Sequence, residues 1–371
     1  MKPKIIVFDK FLGYKVGGAE LSLKKLLENL SGDFRFIGCE VRKSFSAKKL
    51  KEENFPVERI KIKEIPRFPY LEYFLNRKKI IKFISKQEGD CLFSQGLWAG
   101  LGVNNFQGKT VYFARDEYNL NQIINYYSGI KYWFKKIYLF TQYPFIKKLF
   151  SDNEQAIKKA DLVIANSDFM RKMIKEKFGR ESEVIYPVVD ISKLQKVILP
   201  PLNERPFLTL IGSELLKGRP IIEKIAQKMK NHQFMIVGRD FKKQIQKDNI
   251  LYQPWLKNSL EIYKKTKIFL IPSLWQEAFC RVGLEGLSLG IPCIGSDKGG
   301  IGEVLEKKFL IKDVWETNKW VEAILMIEQN YQFYSEMAKE KINGKKEKFD
   351  AVNQVEKFKK LIREKLNLNL R

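Results

Sequence analysis

The 371-residue sequence lacks any apolar run of the roughly 18–20 residues that a membrane-spanning helix requires. Its opening, Met1–Asp9, is too short and becomes charged too soon to be a signal peptide. Four cysteines, Cys39, Cys91, Cys280 and Cys293, show no paired metal-type spacing. These absences predict a cytoplasmic protein with free thiols, because a reducing compartment disfavours disulfides.

Histidine and closely spaced acid pairs are also scarce. The only histidine, His232, precedes a predicted strand and is expected at the protein surface. No Asp-x-Asp triplet occurs anywhere in the sequence. We therefore predict neither a metal site nor a bound cofactor.

Positive charge, in contrast, is abundant, with a formal net charge of +25. Such an excess fits a nucleic acid, an anionic membrane face or anionic small molecules equally well. Lys and Arg outnumber Asp and Glu by 35 to 22 over residues 1–190 and by 33 to 21 over residues 191–371. Because the excess is spread evenly and no zinc-finger or RNP-type motif occurs, we expect a solvated basic surface and no nucleic-acid partner.

The strongest candidate site lies between residues 272 and 303. An apolar run before Pro272 predicts a buried parallel strand, and a short helix is expected from about residue 279 to 289. Glu277 falls in the intervening loop and Glu285 inside the helix, so these carboxylates would bind different hydroxyl groups of one ligand rather than share a proton. The helix start favours an anion, which adds three candidate binding residues: Phe279, Cys280 and Arg281.

Glycine turns mark two further ligand-binding positions. Gly299 and Gly300 follow the next predicted strand and precede another helix start, and two neighbouring helix starts suit a diphosphate. Near the beginning of the chain, Gly17 and Gly18 separate a predicted strand, residues 4–9, from a predicted helix, residues 19–30. Glycine at such a turn lets the backbone approach a ligand closely.

Residues 272–303 resemble the signature of family 4 glycosyltransferases, or glycosyl transferases group 1. The resemblance lies in the order of the motif residues: P-S, E, seven residues, E, then G-x-P, D, G-G-I and E. Gly17–Glu20 and Lys217–Gly218 match further elements of that family in the same order. The resemblance implies an α/β fold of the GT-B type, with two Rossmann-like domains and a crevice between them. It also implies metal-independent hexosyl transfer, with retention, from a UDP- or GDP-type sugar to a glycan or lipid-linked acceptor in cell-surface polysaccharide or glycoconjugate synthesis.

The same resemblance implies roles for individual residues. Glu285 would bind the ribose hydroxyls, Glu277 the donor sugar near its reacting carbon, and Lys217 the phosphate. Many members carry a histidine at the end of the strand predicted at residues 110–115, where this sequence has Arg115. An arginine cannot accept a proton at neutral pH, so Arg115 would act as a fixed cation or hydrogen-bond donor. The catalytic residues predicted in this way are Glu277, Lys217 and Arg115.

A second departure from the family pattern concerns the phosphate site. The arginine usually found just before the lysine is replaced by Ser213. Either Arg219 or Arg281 would then have to supply the missing charge.

The predicted domain arrangement combines composition with this resemblance. An N-terminal acceptor-binding domain is expected over residues 1–190 and a polar, proline-containing linker over residues 191–206. The nucleotide-sugar-binding domain would span residues 207–336. Residues 337–371 end in a long predicted helix, which the resemblance places back on the N-terminal domain.

Aromatic and basic residues alternate from Tyr126 to Phe150. Such a stretch suits the interface of an anionic membrane, with aromatic rings at headgroup depth and lysines on anionic lipid. The protein would then be peripheral on the inner face of the membrane. A helix pair whose aromatic side packs on the first domain explains the pattern equally simply, and both interpretations remain open.

Parts of the sequence are also compatible with functions other than sugar transfer. Two short patterns resemble the motifs of short-chain dehydrogenases: a glycine turn at Gly96, Gly100 and Gly102, and a Y-x-x-x-K pattern at Tyr127 and Lys131. The two patterns lie too close together in the chain for that family. A nucleotide-sugar epimerase shares the GT-B fold and should show acid/base residues. An inactive glycan- or lipid-binding scaffold is the remaining alternative, because Arg115 and Ser213 depart from the common pattern.

Overall fold

The structure is a computed structural model that describes residues 2–14, 18–41, 56–116, 129–256 and 258–370. The chain forms two compact units: unit 1 comprises Met1–Val188 and Val352–Arg371, and unit 2 comprises Val189–Ala351. In the described ranges, no helix has the length and apolar character needed to cross a membrane.

In the described part of unit 1, seven parallel strands form one sheet in the order β3-β2-β1-β4-β5-β6-β7. β4 is buried along its whole length, as a parallel strand covered on both faces requires. The strands are β1 Lys4–Phe8, β2 Asp33–Glu40, β3 Val57–Lys61, β4 Cys91–Gln95, β5 Lys109–Ala114, β6 Leu162–Ala165 and β7 Glu183–Val184. The helices are α1 Gly18–Leu27, α2 Pro69–Ile84, α3 Ala99–Asn105, α4 Gly129–Thr141, α5 Tyr143–Lys159 and α6 Asp168–Phe178.

In unit 2 the described strands form a second sheet, in the order β10-β11-β9-β8-β12-β13-β14. Its pairs are parallel except for the edge pair β10–β11. The strands are β8 Phe207–Ile211, β9 Gln233–Gly238, β10 Ile245–Lys247, β11 Ile250–Pro254, β12 Thr266–Ile271, β13 Cys293–Ser296 and β14 Leu310–Ile311. The helices are α7 Ile191–Gln195, α8 Arg219–Lys228, α9 Leu260–Tyr263, α10 Arg281–Ser288, α11 Ile301–Val304, α12 Thr317–Gln329, α13 Tyr331–Asn343 and α14 Lys346–Phe349.

These two sheets confirm the predicted α/β class with two Rossmann-like domains. In each sheet the strand order reverses next to the first strand of the unit, between β1 and β4 and between β8 and β12. Loops that leave the carboxyl ends of strands at such a reversal form the usual ligand crevice of open α/β sheets. The residues that follow β1, β4, β8 and β12 are therefore candidates for ligand binding.

The segment predicted as a linker, residues 191–206, lies in unit 2. It begins with α7, whose first residue, Ile191, is fully buried. The Asp190 side chain caps this helix by accepting a hydrogen bond from the Lys193 amide at 2.8 Å.

The end of the chain differs from the single helix expected there, because α14 and a last helix, α15 (Ala351–Leu366), are separated at Asp350. Asp350 has an extended backbone and pairs with Val189 in an isolated bridge. Residues from Val352 onward belong to unit 1, where Phe358 packs against Phe93 and Phe113 at ring distances of 5.6 and 5.8 Å.

Candidate functional site

In unit 2, backbone contacts hold the loop after β12 against the loop after β13. Glu277 forms an isolated parallel bridge with Gly299, and the Gly300 amide donates to the Glu277 carbonyl at 2.7 Å. Gly299 has a φ of +63°, and a Cβ there would lie 2.3 Å from the Glu277 carbonyl oxygen. The two turns predicted as separate ligand-binding positions are therefore held against each other by backbone contacts.

Glu277 itself carries a buried carboxylate that is paired with Lys217. The Lys217 ammonium donates to its Oε1 at 2.6 Å, and the Ser273 hydroxyl donates to the same oxygen. Burial alone would raise the pKa of Glu277, but the charge and hydrogen bond of Lys217 outweigh it and hold that pKa below its ordinary value. The pKa of Lys217 is raised despite its own burial, because Glu277 stabilises the ammonium. The pair is thus ionised at neutral pH.

The position of Lys217 depends on the glycine that follows it. Gly218 has a φ of +87°, and a Cβ at this residue would approach the Pro272 carbonyl oxygen to 2.0 Å. The Leu274 amide donates to the Leu216 carbonyl at 2.8 Å, so the loop after β8 lies directly on the loop after β12. This close approach explains why lysine and glycine occur together at this turn.

Glu285 lies in the second turn of α10 and has two hydrogen-bond donors. Arg281, the first residue of the helix, donates from Nε to Oε1 at 2.8 Å. The hydroxyl of Tyr263, at the end of α9, donates to Oε2. Burial, and then the carboxylate of Glu285, raise the pKa of Tyr263 well above its ordinary value, so the phenol stays protonated as a donor. Tyr263 was not predicted from the sequence, because it belongs to no recognisable motif.

Two of the three residues between Glu277 and α10, Phe279 and Cys280, were predicted to bind the donor, but their side chains are buried. Phe279 is 8% exposed and packs its ring against Phe349 at 5.7 Å. Cys280 is 4% exposed, and burial raises the pKa of its thiol to about 12. A reactive thiolate is therefore not expected, and the amides at the start of α10 are the groups left to meet an anion.

The two arginines proposed to replace the charge lost at Ser213 lie in different surroundings. Arg281 is paired with Glu285 at the start of α10. Arg219 pairs with Glu223 at 2.9 Å and lies over the rings of Phe241 and Tyr252. Arg281 thus has a partner among the predicted donor-binding residues. Arg219 also lies 3.9 Å from the Asp240 carboxylate, which is the hydrogen-bond partner of Ser213.

Ser213 stands where the family resemblance predicts an arginine, and its surroundings leave little room for a larger side chain. Its hydroxyl donates to the Asp240 carboxylate. A Cβ on Gly238 would lie 2.0 Å from the Ser213 oxygen. Serine, Gly238 and Asp240 therefore fit each other closely at the ends of β8 and β9.

Unit 1 has its own polar cluster at the reversal between β1 and β4. Asp9 follows β1 and accepts hydrogen bonds from the Phe11 amide at 2.8 Å and the Gln95 side chain at 2.7 Å. Burial raises the pKa of Asp9, while the charges of Arg115 and Lys10 act to lower it. Arg115 follows β5, and its guanidinium lies over the Phe113 ring at 4.8 Å.

Asp9 was missed in the sequence analysis, although it ends a predicted strand in the same way as Arg115. Two buried atoms near it, Gln95 Oε1 and Trp98 Nε1, have no hydrogen-bond partner in the structure. Of the predicted glycine turn nearby, Gly18 begins α1 and Gly17 lies outside the described residues. Within the ranges that the structure describes, no group of three or more His, Cys, Asp or Glu side chains is placed to hold a metal ion.

Comparison with known proteins adds to this geometry. Residues 219–330 match the family described as "Glycosyl transferases group 1", a segment that contains Glu277, Glu285 and the Gly299–Gly300 turn. Spore coat protein SA of Bacillus subtilis (strain 168) is 31% identical over 85 residues, which make up 22% of this chain and 22% of that protein. The sequence likeness therefore spans less than a quarter of the curated relative.

Solved structures resemble the chain over nearly its whole length. HepE of Anabaena, in complex with UDP and glucose, has a TM-score of 0.71 at 17% identity and covers 98% of this chain and 100% of its own. Sucrose-phosphate synthase from Thermosynechococcus elongatus has a TM-score of 0.69 at 13% identity, with coverage of 98% and 99%. At such identities the likeness shows the fold, which is GT-B as predicted. The family match is thus confined to residues 219–330, in unit 2, whereas the likeness of fold extends over nearly the whole chain.

Proposed function

We propose that the protein transfers a sugar from a nucleotide-diphosphate donor of the UDP or GDP type. The observation that carries this proposal is the Lys217–Glu277 ion pair, held beside the Gly299–Gly300 turn at the carboxyl ends of β8 and β12. A related GT-B structure, HepE of Anabaena, was solved in complex with UDP-glucose. A binding site with a cation, a carboxylate and two helix starts suits both halves of such a donor.

The departing nucleotide accumulates negative charge on its β-phosphate, so the site must present cations and N–H groups there. Lys217 is paired with Glu277, and the helix starts of α10 and α11, which follow the two joined loops, supply the neighbouring dipoles. In this proposal Glu277 binds the sugar near the reacting carbon, and Lys217 meets the phosphate charge as it develops. Arg115 is the remaining predicted catalytic residue, and it would act from unit 1 as a fixed cation.

Glu285 is proposed to bind the ribose hydroxyls. Each of its two oxygens already accepts one hydrogen bond, from Arg281 or from Tyr263. An ionised carboxylate offers about four lone-pair sites, so roughly two remain for the two hydroxyls of a ribose. Arg281 and Tyr263 then act as positioning residues that fix the orientation of the carboxylate.

We expect Tyr263→Phe to raise KM for the donor about fivefold with little change in kcat, because a hydrogen bond worth roughly 1 kcal/mol no longer orients Glu285. Initial rates over a range of donor concentrations measure both constants. The effect should shrink with a 2′-deoxyribose donor, since one of the oriented hydroxyls is then missing. Tyr331→Phe is the matched control, because its buried hydroxyl contacts Lys267 and Arg205 instead. An unchanged KM for Tyr263→Phe would remove the positioning role.

The finer features of the reaction are also proposals. We propose a hexosyl donor, retention of configuration and membership of family 4. We also propose that unit 1 binds a glycan or lipid-linked acceptor, because a polar cluster with Asp9 and Arg115 lies where the strand order of its sheet reverses. A role in cell-surface polysaccharide or glycoconjugate synthesis agrees with the likeness to a spore coat protein. The site of action would be the cytoplasmic side of a membrane.

Nucleotide release from a panel of UDP-, GDP- and ADP-sugars tests this function. We expect release with one donor base, stimulated by acceptor, and strongly reduced turnover in Glu277→Gln, which removes the charge that pairs with Lys217. Conversion of the donor sugar without nucleotide release would indicate an epimerase instead. Donor binding without turnover would indicate an inactive scaffold, and neither binding nor release across the panel would refute the proposal.

A further inference from the structure

One face of α4 presents a stripe of large apolar side chains to solvent. The residues recur at helical spacing and are between 59% and 80% exposed: Ile130, Trp133, Phe134, Ile137 and Phe140. On a helix of a water-soluble domain, the apolar stripe normally faces the core. An outward stripe of this size marks a surface that another phase or partner covers.

Other residues attach α4 to unit 1. The Tyr138 hydroxyl donates to the Arg67 carbonyl, and its ring lies 5.7 Å from that of Phe68. In α5, Phe145 packs against Phe74 of α2 at 5.1 Å. The helix pair foreseen for residues 126–150 therefore exists in the described part of this stretch, but the stripe on α4 is not the side that packs inward.

The stripe continues into a groove between α4 and α5. The groove has a volume of about 590 Å³, and apolar groups such as Phe140, Ile146 and Phe150 line it. Two lysines, Lys136 and Lys147, and one glutamate, Glu154, stand among the same lining residues. An apolar surface bordered by ammonium groups is the arrangement of a helix that lies in a lipid interface, where lysine stems cover apolar surface and their charges meet headgroups.

Charge distinguishes the possible occupants of this surface. Residues 129–151 contain no Asp or Glu and five lysines: Lys131, Lys135, Lys136, Lys147 and Lys148. Lys148 is paired with Asp152 at 3.1 Å, and Glu154 lies at the groove, so the positive charge left over comes from the other lysines. A second copy docked by twofold symmetry would bring these like charges together, since the same patch faces itself. A surface of anionic phospholipid instead complements them, and each lysine near such a surface adds to binding.

We propose that α4 docks on an anionic membrane surface, with the exposed stripe at the acyl boundary and the lysines at the level of the phosphates. Trp133, with its large amphipathic ring, fits the headgroup region of such an interface. This inference goes beyond the transfer reaction and does not depend on it, because it rests on unit 1 alone.

Co-sedimentation with vesicles of phosphatidylglycerol and phosphatidylcholine in equal parts tests the proposal. We expect the full chain to bind these vesicles, to bind pure phosphatidylcholine vesicles weakly, and to lose affinity as salt concentration rises. Phe134→Glu should lower the partition coefficient at least about tenfold, because a phenyl ring no longer enters the interface. Phe333→Glu, at an aromatic residue of unit 2 that is 52% exposed, is the matched control and should bind as the wild type.

A charge-reversal variant measures the contribution of the lysines to membrane binding apart from that of the stripe. Lys136→Glu should weaken binding to anionic vesicles at low salt and leave the weak binding to neutral vesicles unchanged. The proposal is overturned if the wild type stays in the supernatant with anionic vesicles, or if Phe134→Glu sediments as the wild type does. A lipid-free dimer that Phe134→Glu dissociates would assign the stripe to a second copy and would also overturn it.

Discussion

Replacing Lys217 by alanine is expected to lower kcat roughly 30- to 1,000-fold, which corresponds to about 2–4 kcal/mol of transition-state stabilisation. The ammonium lies 2.6 Å from Glu277 at the carboxyl ends of β8 and β12, where the phosphate of the leaving nucleotide is proposed to gain charge. Because that charge develops only as the bond breaks, the loss should appear in kcat more than in KM. Steady-state nucleotide release measures both constants.

Loss of Lys217 has a second effect that needs its own control. It leaves the Glu277 carboxylate buried without its cation, so the pKa of Glu277 rises and the free energy of unfolding falls. Lys267→Ala is a matched variant, because Lys267 forms a 2.6 Å ion pair with Glu328 in the same unit. If both variants lose similar stability and similar activity, Lys217 has only a structural role. A large loss of kcat in Lys217→Ala alone supports the proposed contact with phosphate.

Gly299→Ala is expected to have a comparably large effect, through backbone geometry rather than charge. The left-handed conformation of residue 299 alone costs a residue with a Cβ about 1–2 kcal/mol. The added Cβ would also meet the Glu277 carbonyl oxygen and amide nitrogen at 2.3 and 2.7 Å, so the bridge between the two loops must open. Donor affinity and thermal stability should both fall.

Gly302→Ala provides the control three residues away. A Cβ at residue 302, which lies in α11, would meet the Leu310 side chain at an ordinary contact distance of 3.4 Å. Alanine is a better helix former than glycine, so this variant should keep its stability and its donor affinity. Calorimetric titration with the donor and thermal unfolding compare the two variants directly. Equal donor affinity for both would show that the bridge at Gly299 does not shape the site.

Much of this arrangement could be predicted from the chain alone because it depends on local patterns. The apolar run before Pro272 predicted β12, and the loop and helix positions of Glu277 and Glu285 were confirmed. The GT-B fold was likewise predicted from the motif order. The strand, loop and helix positions depend on residues that are close together in the sequence. The fold was predicted because its motifs follow the order typical of the family.

Features that depend on distant residues could not be predicted in the same way. Nothing near Tyr263 in the sequence indicates that it would donate to Glu285, because the contact depends on how α9 packs beside α10. The sequence also did not indicate which carboxylates pair with Arg219 and Arg281. Only the folded chain shows that Arg219 pairs with Glu223 and that Arg281 pairs with Glu285. The outward orientation of the α4 stripe was also undecided, because periodicity shows an apolar face but not which way it points.

The ion pair of Lys217 with Glu277 influences which ligands the site retains. The ammonium already serves the Glu277 carboxylate, so an anion that brings only phosphate competes with that carboxylate for the same cation and weakens its hydrogen bond, while the Ser273 hydroxyl remains as a donor. A donor carrying a sugar can replace the weakened hydrogen bond with a hydroxyl, whereas free nucleotide cannot. Once the sugar has been transferred, the re-formed pair would compete with the spent nucleotide for the same lysine, which favours discharge of the product over its retention.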